Sequence, residues 1–133
     1  MIVVDTNIIG YLYLASELSA QVEIVFHKDP LWAAPLLWRS EFRNVLASYI
    51  RKEMLSLDGA QQIMDEATHL MDGREYAVPS NLIFNLVAAS TCSAYDCEFV
   101  ALARDLRVPL VTVDMQVLEQ FPDVAISPER FIV

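Results

Sequence analysis

Cysteine, histidine, positive charge and long apolar runs are all scarce in this chain, and each shortage excludes something. Two cysteines, Cys92 and Cys97, cannot build a four-ligand zinc centre or a disulfide framework, and both are expected to be packed thiols. His27 and His69 have no histidine or cysteine beside them at ligand spacing, so neither is expected to bind a metal. Nine basic residues against eighteen acidic ones leave a net charge of −9. That balance excludes a nucleic-acid binder working by phosphate neutralisation alone; if RNA binds, something else must supply positive charge. Apolar runs such as Leu82 to Phe84 and Leu86 to Ala89 fall far short of the ~20 residues that cross a bilayer. The chain opens on a strand pattern with no basic region or cleavage site, so no signal peptide and a cytoplasmic location are expected. No low-complexity linker or internal repeat appears.

What is present is a hydrophobic chain of one-domain length: 133 residues, 55% of them apolar, enough to bury most of the apolar surface in one core spanning 1–133. The organising stretch is Met1-Ile2-Val3-Val4-Asp5-Thr6-Asn7. Its β-branched run reads as a strand buried on both faces, and it ends in an acid, a hydroxyl and an amide. In open α/β sheets the carboxyl ends of the strands open onto the ligand crevice, which is where Asp5 would emerge.

Downstream, strand and helix patterns alternate. A helix is expected from Asn7 to Leu18, capped by Asp5 or Thr6, and another from Ser19 to His27. Leu31 to Ala34 reads as a strand stopped by Pro35. The clearest helix runs from Leu36 to about Glu53, with Trp38, Phe42, Val45, Leu46 and Tyr49 on one stripe. Glu41 projects from the flank of that stripe with Asn44 and Ser48, while Arg39 and Arg43 project from the other. A helix to Met71 follows, capped by Ser56 or Asp58, then a strand from Glu75 to Val78 and a helix from Leu82 to Thr91. Ser93 to Asp96 has capping-box spacing, with Tyr95, Phe99, Leu102, Ala103 and Leu106 as the core stripe of the next helix. Leu110-Val111-Thr112-Val113 is a second β-branched strand ending in an acid, Asp114. Met115 to Phe121 reads as helix, Asp123 to Ile126 as strand, and Ser127 to Arg130 as a turn. This alternation predicts an α/β fold, a parallel sheet of about five strands covered by helices on both faces.

On that architecture Asp5 and Asp114 emerge at strand ends and Asp96 at a helix start, facing one crevice with Glu41 beside them. Taken singly, each has a bland reading: Asp5 and Asp114 as helix caps, Asp96 as part of a capping box, Glu41 as a solvated flank. Capping alone does not explain why the helix starts converge. Clustered carboxylates must take up protons or cations, and Mg²⁺ prefers carboxylate oxygen. Two such ions about 4 Å apart orient and activate a water and stabilise both oxygens of a phosphodiester displacement. The expected reaction class is metal-assisted phosphodiester hydrolysis.

VVDTN, SEFRNVL, SAYDCEFVALA and PLVTVD resemble, in order and approximate spacing, the four motifs of the PIN-domain ribonucleases across nearly the whole chain. The length, and ALA after Asp96, look most like the VapC toxins of toxin–antitoxin pairs. The resemblance implies a PIN-like α/β/α sandwich, often dimeric, with Mg²⁺- or Mn²⁺-dependent endoribonuclease activity. It implies Asp5, Glu41, Asp96 and Asp114 as the metal-binding and catalytic acids, with Asn7 and Thr112 supporting them. It also implies a small antitoxin partner whose tail reaches the acidic pocket. The chain departs from the family at Gln116, where many members carry another acid, so the first metal site is expected to be better formed than the second. Arg43 is the candidate RNA contact among the few bases; surface ion pairing is its bland alternative.

Three rivals bear weighing. A dehalogenase-like phosphatase using Asp5 as nucleophile needs an acid at the position of Asn7. A response-regulator receiver needs paired acids after its first strand and a late lysine, whereas the only lysines are Lys28 and Lys52. The third is a PIN fold that binds a partner and cleaves nothing; a housekeeping RNA-processing role is a further alternative within the nuclease reading.

Overall fold

In a computed structural model describing all 133 residues, Ile2–Val4 (β1) forms the middle of a five-stranded sheet. The other strands are Trp32–Pro35 (β2), Glu75–Tyr76 (β3), Leu110–Val111 (β4) and Ala125–Ile126 (β5), in the order β3-β2-β1-β4-β5. Every pairing is parallel. β1 is paired on both sides, Val3 lying between Ala33 and Leu110. Its edges are thus paired and its faces lie under helices, which is why all three of its residues are buried apolar side chains.

Eight helices connect and cover the strands: Thr6–Tyr13 (α1), Ser19–Lys28 (α2), Leu37–Arg51 (α3), Leu57–Met71 (α4), Ser80–Ala88 (α5), Ala94–Leu106 (α6), Met115–Gln120 (α7) and Pro128–Phe131 (α8). This is the α/β/α arrangement the sequence predicts, PIN-like in layout. Thirty-one buried apolar residues join in one continuous cluster, so both faces of the sheet share a single core. α3 contributes Trp38, Phe42 and Leu46, the inner part of the predicted stripe.

The local differences have identifiable causes. The first helix ends at Tyr13, not Leu18, because Ser16 and Ser19 turn the chain: Ser19 Oγ donates to the Leu14 carbonyl, and Ser16 Oγ accepts from Leu18 N. Pro35 does not stop β2 but is its last residue. Ala34 and Leu36 donate to the β3 side, so the missing proline N–H faces the side on which pairing with β1 has already ended at Ala33. Tyr95 is 63% exposed and not part of the core; α6 buries Cys97 and Phe99 to Ala103 instead. Ser127 to Arg130 is no simple turn, since Ser127 caps α8 and Pro128 occupies the first helical position. β3, β4 and β5 are each two residues long and α5 lies at residues 80–88, shorter or earlier than their patterns suggested. No helix is long and apolar enough to cross a membrane. His27 and His69 are exposed, and Cys92 and Cys97 are buried free thiols.

Candidate functional site

Asp5 follows the central strand directly and caps α1, its Oδ1 accepting from Thr6 N at 2.7 Å. Its other oxygen, Oδ2, accepts from Thr112 Oγ1 at 2.8 Å, just beyond β4. That hydroxyl also accepts from Asp114 N at 3.0 Å, and Asp114 Oδ1 caps α7 through Val117 N at 3.0 Å. On the other side Thr6 Oγ1 donates to Glu41 Oε1 at 2.7 Å. A continuous chain of hydrogen bonds therefore runs Glu41, Thr6, Asp5, Thr112, Asp114, drawing on α3, α1 and two adjacent strand ends. Thr6 and Thr112 are the only buried residues of the polar and charged types, and both of their hydroxyls are bonded within this set of acids.

Asp96 completes the set from the first turn of α6, where Ser93 Oγ accepts from its backbone N–H at 3.1 Å. Asp5, Glu41, Asp96 and Asp114 line one cavity of about 260 Å³ together with Thr6, Asn7, Asn44 and Val45. The capping reading and the clustering reading are thus both true of Asp5 and Asp114. Thr112 is wholly buried behind the cavity. Arg43 does not reach it; Arg43 is exposed along the groove between α3 and α4, beside Arg39. Gln116 points elsewhere as well, its amide donating to the Thr91 carbonyl at 3.0 Å and the Thr91 hydroxyl at 2.9 Å.

The electrostatics are those of crowded anions with no base to balance them, since no lysine or arginine lines the cavity. Burial pushes the Asp5 carboxyl above its ordinary value; the Thr112 and Thr6 bonds oppose that, and the charges of Asp96 and Asp114 add to it. Glu41 is raised by burial, offset by Thr6, and raised further by Asp5, Asp96 and Glu98. Asp96 is raised by burial and then by Asp114, against a partial offset from Ser93. Carboxylates in this condition bind either protons or cations.

No three carboxylate, histidine or cysteine side chains are gathered tightly enough to hold an ion unaided. Mg²⁺ does not need that: it is usually held by one or two carboxylates and keeps several waters. Glu41 Oε2 and Asp114 Oδ2 accept no protein donor, which leaves lone pairs free for an ion or its waters. The donor set fits a hydrated hard cation.

The sequence marked Thr6 only as a possible helix cap and Glu98 not at all. A threonine after Asp5 reads as a cap, and nothing local signals that its hydroxyl reaches Glu41, 35 residues away. Glu98, two residues beyond Asp96, is turned roughly 200° from it around a helix, yet its charge is felt at Glu41 on α3.

No protein-family model matches the chain. It is 29% identical over 124 residues to Ribonuclease VapC3 of Pyrobaculum aerophilum, covering 91% of this chain and 95% of that relative. Its fold superposes on the crystal structure of PAE2754 from Pyrobaculum aerophilum with a TM-score of 0.76 at 18% identity, over 98% of this chain and 92% of the other. A toxin-antitoxin complex from Klebsiella pneumoniae gives a TM-score of 0.70 at 15% identity, over 96% and 98%. At those identities the solved structures speak for the fold alone.

Proposed function

We propose, from the premise that this chain is a PIN-like relative of the VapC ribonucleases, that it is an Mg²⁺- or Mn²⁺-dependent endoribonuclease and the toxin of a toxin–antitoxin pair. The observation that carries the reading is the convergence of Asp5, Glu41, Asp96 and Asp114 on one cavity, with two buried threonines holding three of them in place.

A divalent ion bound there would supply a water of lowered pKa and a counter-charge for the phosphate. The chain's own residues do the rest. Thr112 and Thr6 N–H hold both Asp5 oxygens in fixed directions, which keeps Asp5 from swinging away from its neighbours. Thr6 Oγ1 fixes one Glu41 oxygen and leaves the other toward the cavity. Asp114 is held in the same way by its capping bond to Val117 N. Such preorganisation lowers the reorganisation needed when charge develops on the phosphate oxygens. Asn7, exposed at the cavity mouth, offers a neutral donor to a substrate oxygen. A small antitoxin that neutralises the acidic cavity, a homodimeric assembly and a cytoplasmic site of action belong to the same reading.

The test is a gel assay with single-stranded RNA in Mg²⁺ or Mn²⁺. Cleavage by the parent, its loss in EDTA, and its loss in folded Asp5→Asn and Asp96→Asn variants are expected. Variants that cut as well as the parent would refute the catalytic assignment.

A further inference from the structure

The protein's cations are unevenly placed. None lines the carboxylate cavity, whereas three of the seven arginines line a single cleft of about 490 Å³ with Pro109, Pro122 and Asp123. The cleft lies at the other end of the sheet from the acids. Pro109 and Val124, in its wall, immediately precede β4 and β5, whereas Asp5 and Asp114 come after β1 and β4.

A bland account covers part of this. Cations near a helix carboxyl end complement its dipole, and both Arg104 and Arg107 end α6. Arg104 is further accounted for by its ion pair with Asp123 at 3.0 Å and its place over the Phe121 ring. Arg130 comes to the same cleft from the last turn of α8, a helix of only four residues whose single turn sums few peptide dipoles. Neither Arg107 nor Arg130 has a carboxylate partner, the protein's ion pairs being Met1 N-terminus with Asp29, Arg39 with Glu75, and Arg104 with Asp123. Neither guanidinium donates a hydrogen bond to any protein group. Arg107 also holds a left-handed φ of 57°, where glycine would rest without strain, so backbone preference does not place it. In a chain with twice as many acids as bases, these guanidiniums share their cleft with one carboxylate, and Arg104 already occupies it.

We infer that this cleft is a phosphate-binding subsite for the backbone of the RNA substrate, separate from the carboxylate cavity; the inference rests on the ribonuclease reading above. The guanidinium fork matches two oxygens of a phosphate. From Pro109 to Thr112 is three residues, roughly 10 Å along an extended strand, so a few nucleotides crossing the β4–β5 side of the molecule span both sites. The cleft supplies, outside the cavity, the positive charge that an otherwise acidic surface withholds from RNA. An acidic protein segment is the other anion that could use it, but the substrate of the proposed activity carries a charge on every nucleotide and has to overcome that surface.

The test uses the full chain and a fluorescein-labelled single-stranded RNA carrying 2′-O-methyl groups, followed by anisotropy between about 50 and 200 mM NaCl. An Arg107→Ala/Arg130→Ala double variant, with an unchanged melting curve, is expected to bind more weakly. Its slope of log K against log[salt] should be shallower by about 1.4, that is ~0.7 for each single-strand phosphate no longer neutralised. Arg51→Ala/Lys52→Ala removes the same charge elsewhere and is expected to leave the slope alone. If the parent cuts RNA and the Arg107/Arg130 variant keeps parental affinity and slope, the cleft assignment is overturned while the nuclease reading stands. If binding depends on the two arginines but no metal supports cleavage, the cleft stands and the nuclease reading fails. Two further outcomes would overturn the RNA assignment. One is poly-glutamate binding that needs both arginines while the parent binds no RNA; the other is inorganic phosphate binding as tightly as the RNA.

Discussion

Replacing Thr112 by valine isolates what the site's central hydroxyl contributes. Thr112 is wholly buried, and valine keeps its shape, so packing is retained and only polarity is lost. Two hydrogen bonds go: the donation to Asp5 Oδ2 at 2.8 Å and the acceptance from Asp114 N at 3.0 Å. A bond to a charged group contributes about 1.5–3 kcal/mol and a neutral one about 0.5–1.5, so the expected loss is roughly 2–4.5 kcal/mol. Serine keeps the hydroxyl and forfeits one methyl, about 0.8 kcal/mol. The assay is urea denaturation in EDTA. With a slope of about 1–3 kcal/mol per molar, the valine variant should unfold at least about 0.7 M earlier than the parent, and serine close to it. pH sharpens the test. The Thr112 bond lowers the Asp5 pKa, so its removal raises that pKa in the folded state. The parent's advantage is then full where Asp5 is ionised and fades as acid protonates it, making the deficit of Thr112→Val larger at pH 8 than at pH 4. A valine variant as stable as the parent at pH 8, or a deficit that does not change with pH, would refute the role assigned to this hydroxyl.

Other outcomes follow from the same geometry. Asp5, Glu41 and Asp96 all have carboxyls raised in the folded state. They ionise more readily when unfolded, so stability falls as pH rises from the ordinary carboxylate range through the raised values. Mg²⁺ should therefore raise the melting temperature more at pH 7.5 than at pH 5, and equal shifts in differential scanning fluorimetry would argue against ion binding by these groups. Glu41→Gln should abolish RNA cleavage, whereas Thr6→Val, which removes only the hydroxyl bonded to Glu41, should reduce it less; single-turnover rates separate the two. Glu75 accepts from Arg39 Nε and Nη2, both at 2.6 Å, and from Trp38 Nε1 at 2.7 Å. Its pKa is lowered, first by Arg39, so its contribution is present above the ordinary glutamate value and lost as pH falls through the lowered one. Glu75→Gln should cost roughly 1.5–3 kcal/mol at pH 7 and progressively less as the pH is taken below the ordinary glutamate value, as read by guanidinium denaturation at each pH.

What the sequence made legible was set by period and by strong punctuation. Ile2 to Val4 and Leu110 to Val111 are runs that only an enclosed strand uses, and Ser56 and Ser93 cap helices where their spacing says they should. From two acids after two such strands, the crevice could be placed and four acids assigned to it. The misses fall where side chains act on the backbone over short range or on one another over long range. Ser16 and Ser19 end α1 by side-chain bonding that carries no periodic signal. Tyr95 fits a core stripe by spacing, but the first turn of α6 extends past the layer that would bury it. Thr6 and Glu98 meet Glu41 only through the packing of helices distant in sequence. The gathering of Arg104, Arg107 and Arg130 is invisible for the same reason, since two elements carry them to one place.

β1 precedes the other four strands in the chain yet acquires a hydrogen-bonded neighbour on one side only when residues 110 and 111 exist. Asp5 likewise waits for Thr112, 107 residues further on, before its second oxygen is held. A chain emerging from the ribosome therefore carries Asp5 through the making of the next hundred residues without the hydroxyl that fixes it. A truncated product ending before β4 would have an open central strand edge and an incomplete quartet. On the ribonuclease reading proposed above, such a fragment has no complete cavity, so no cutting site exists until residues 110 to 114 have been made.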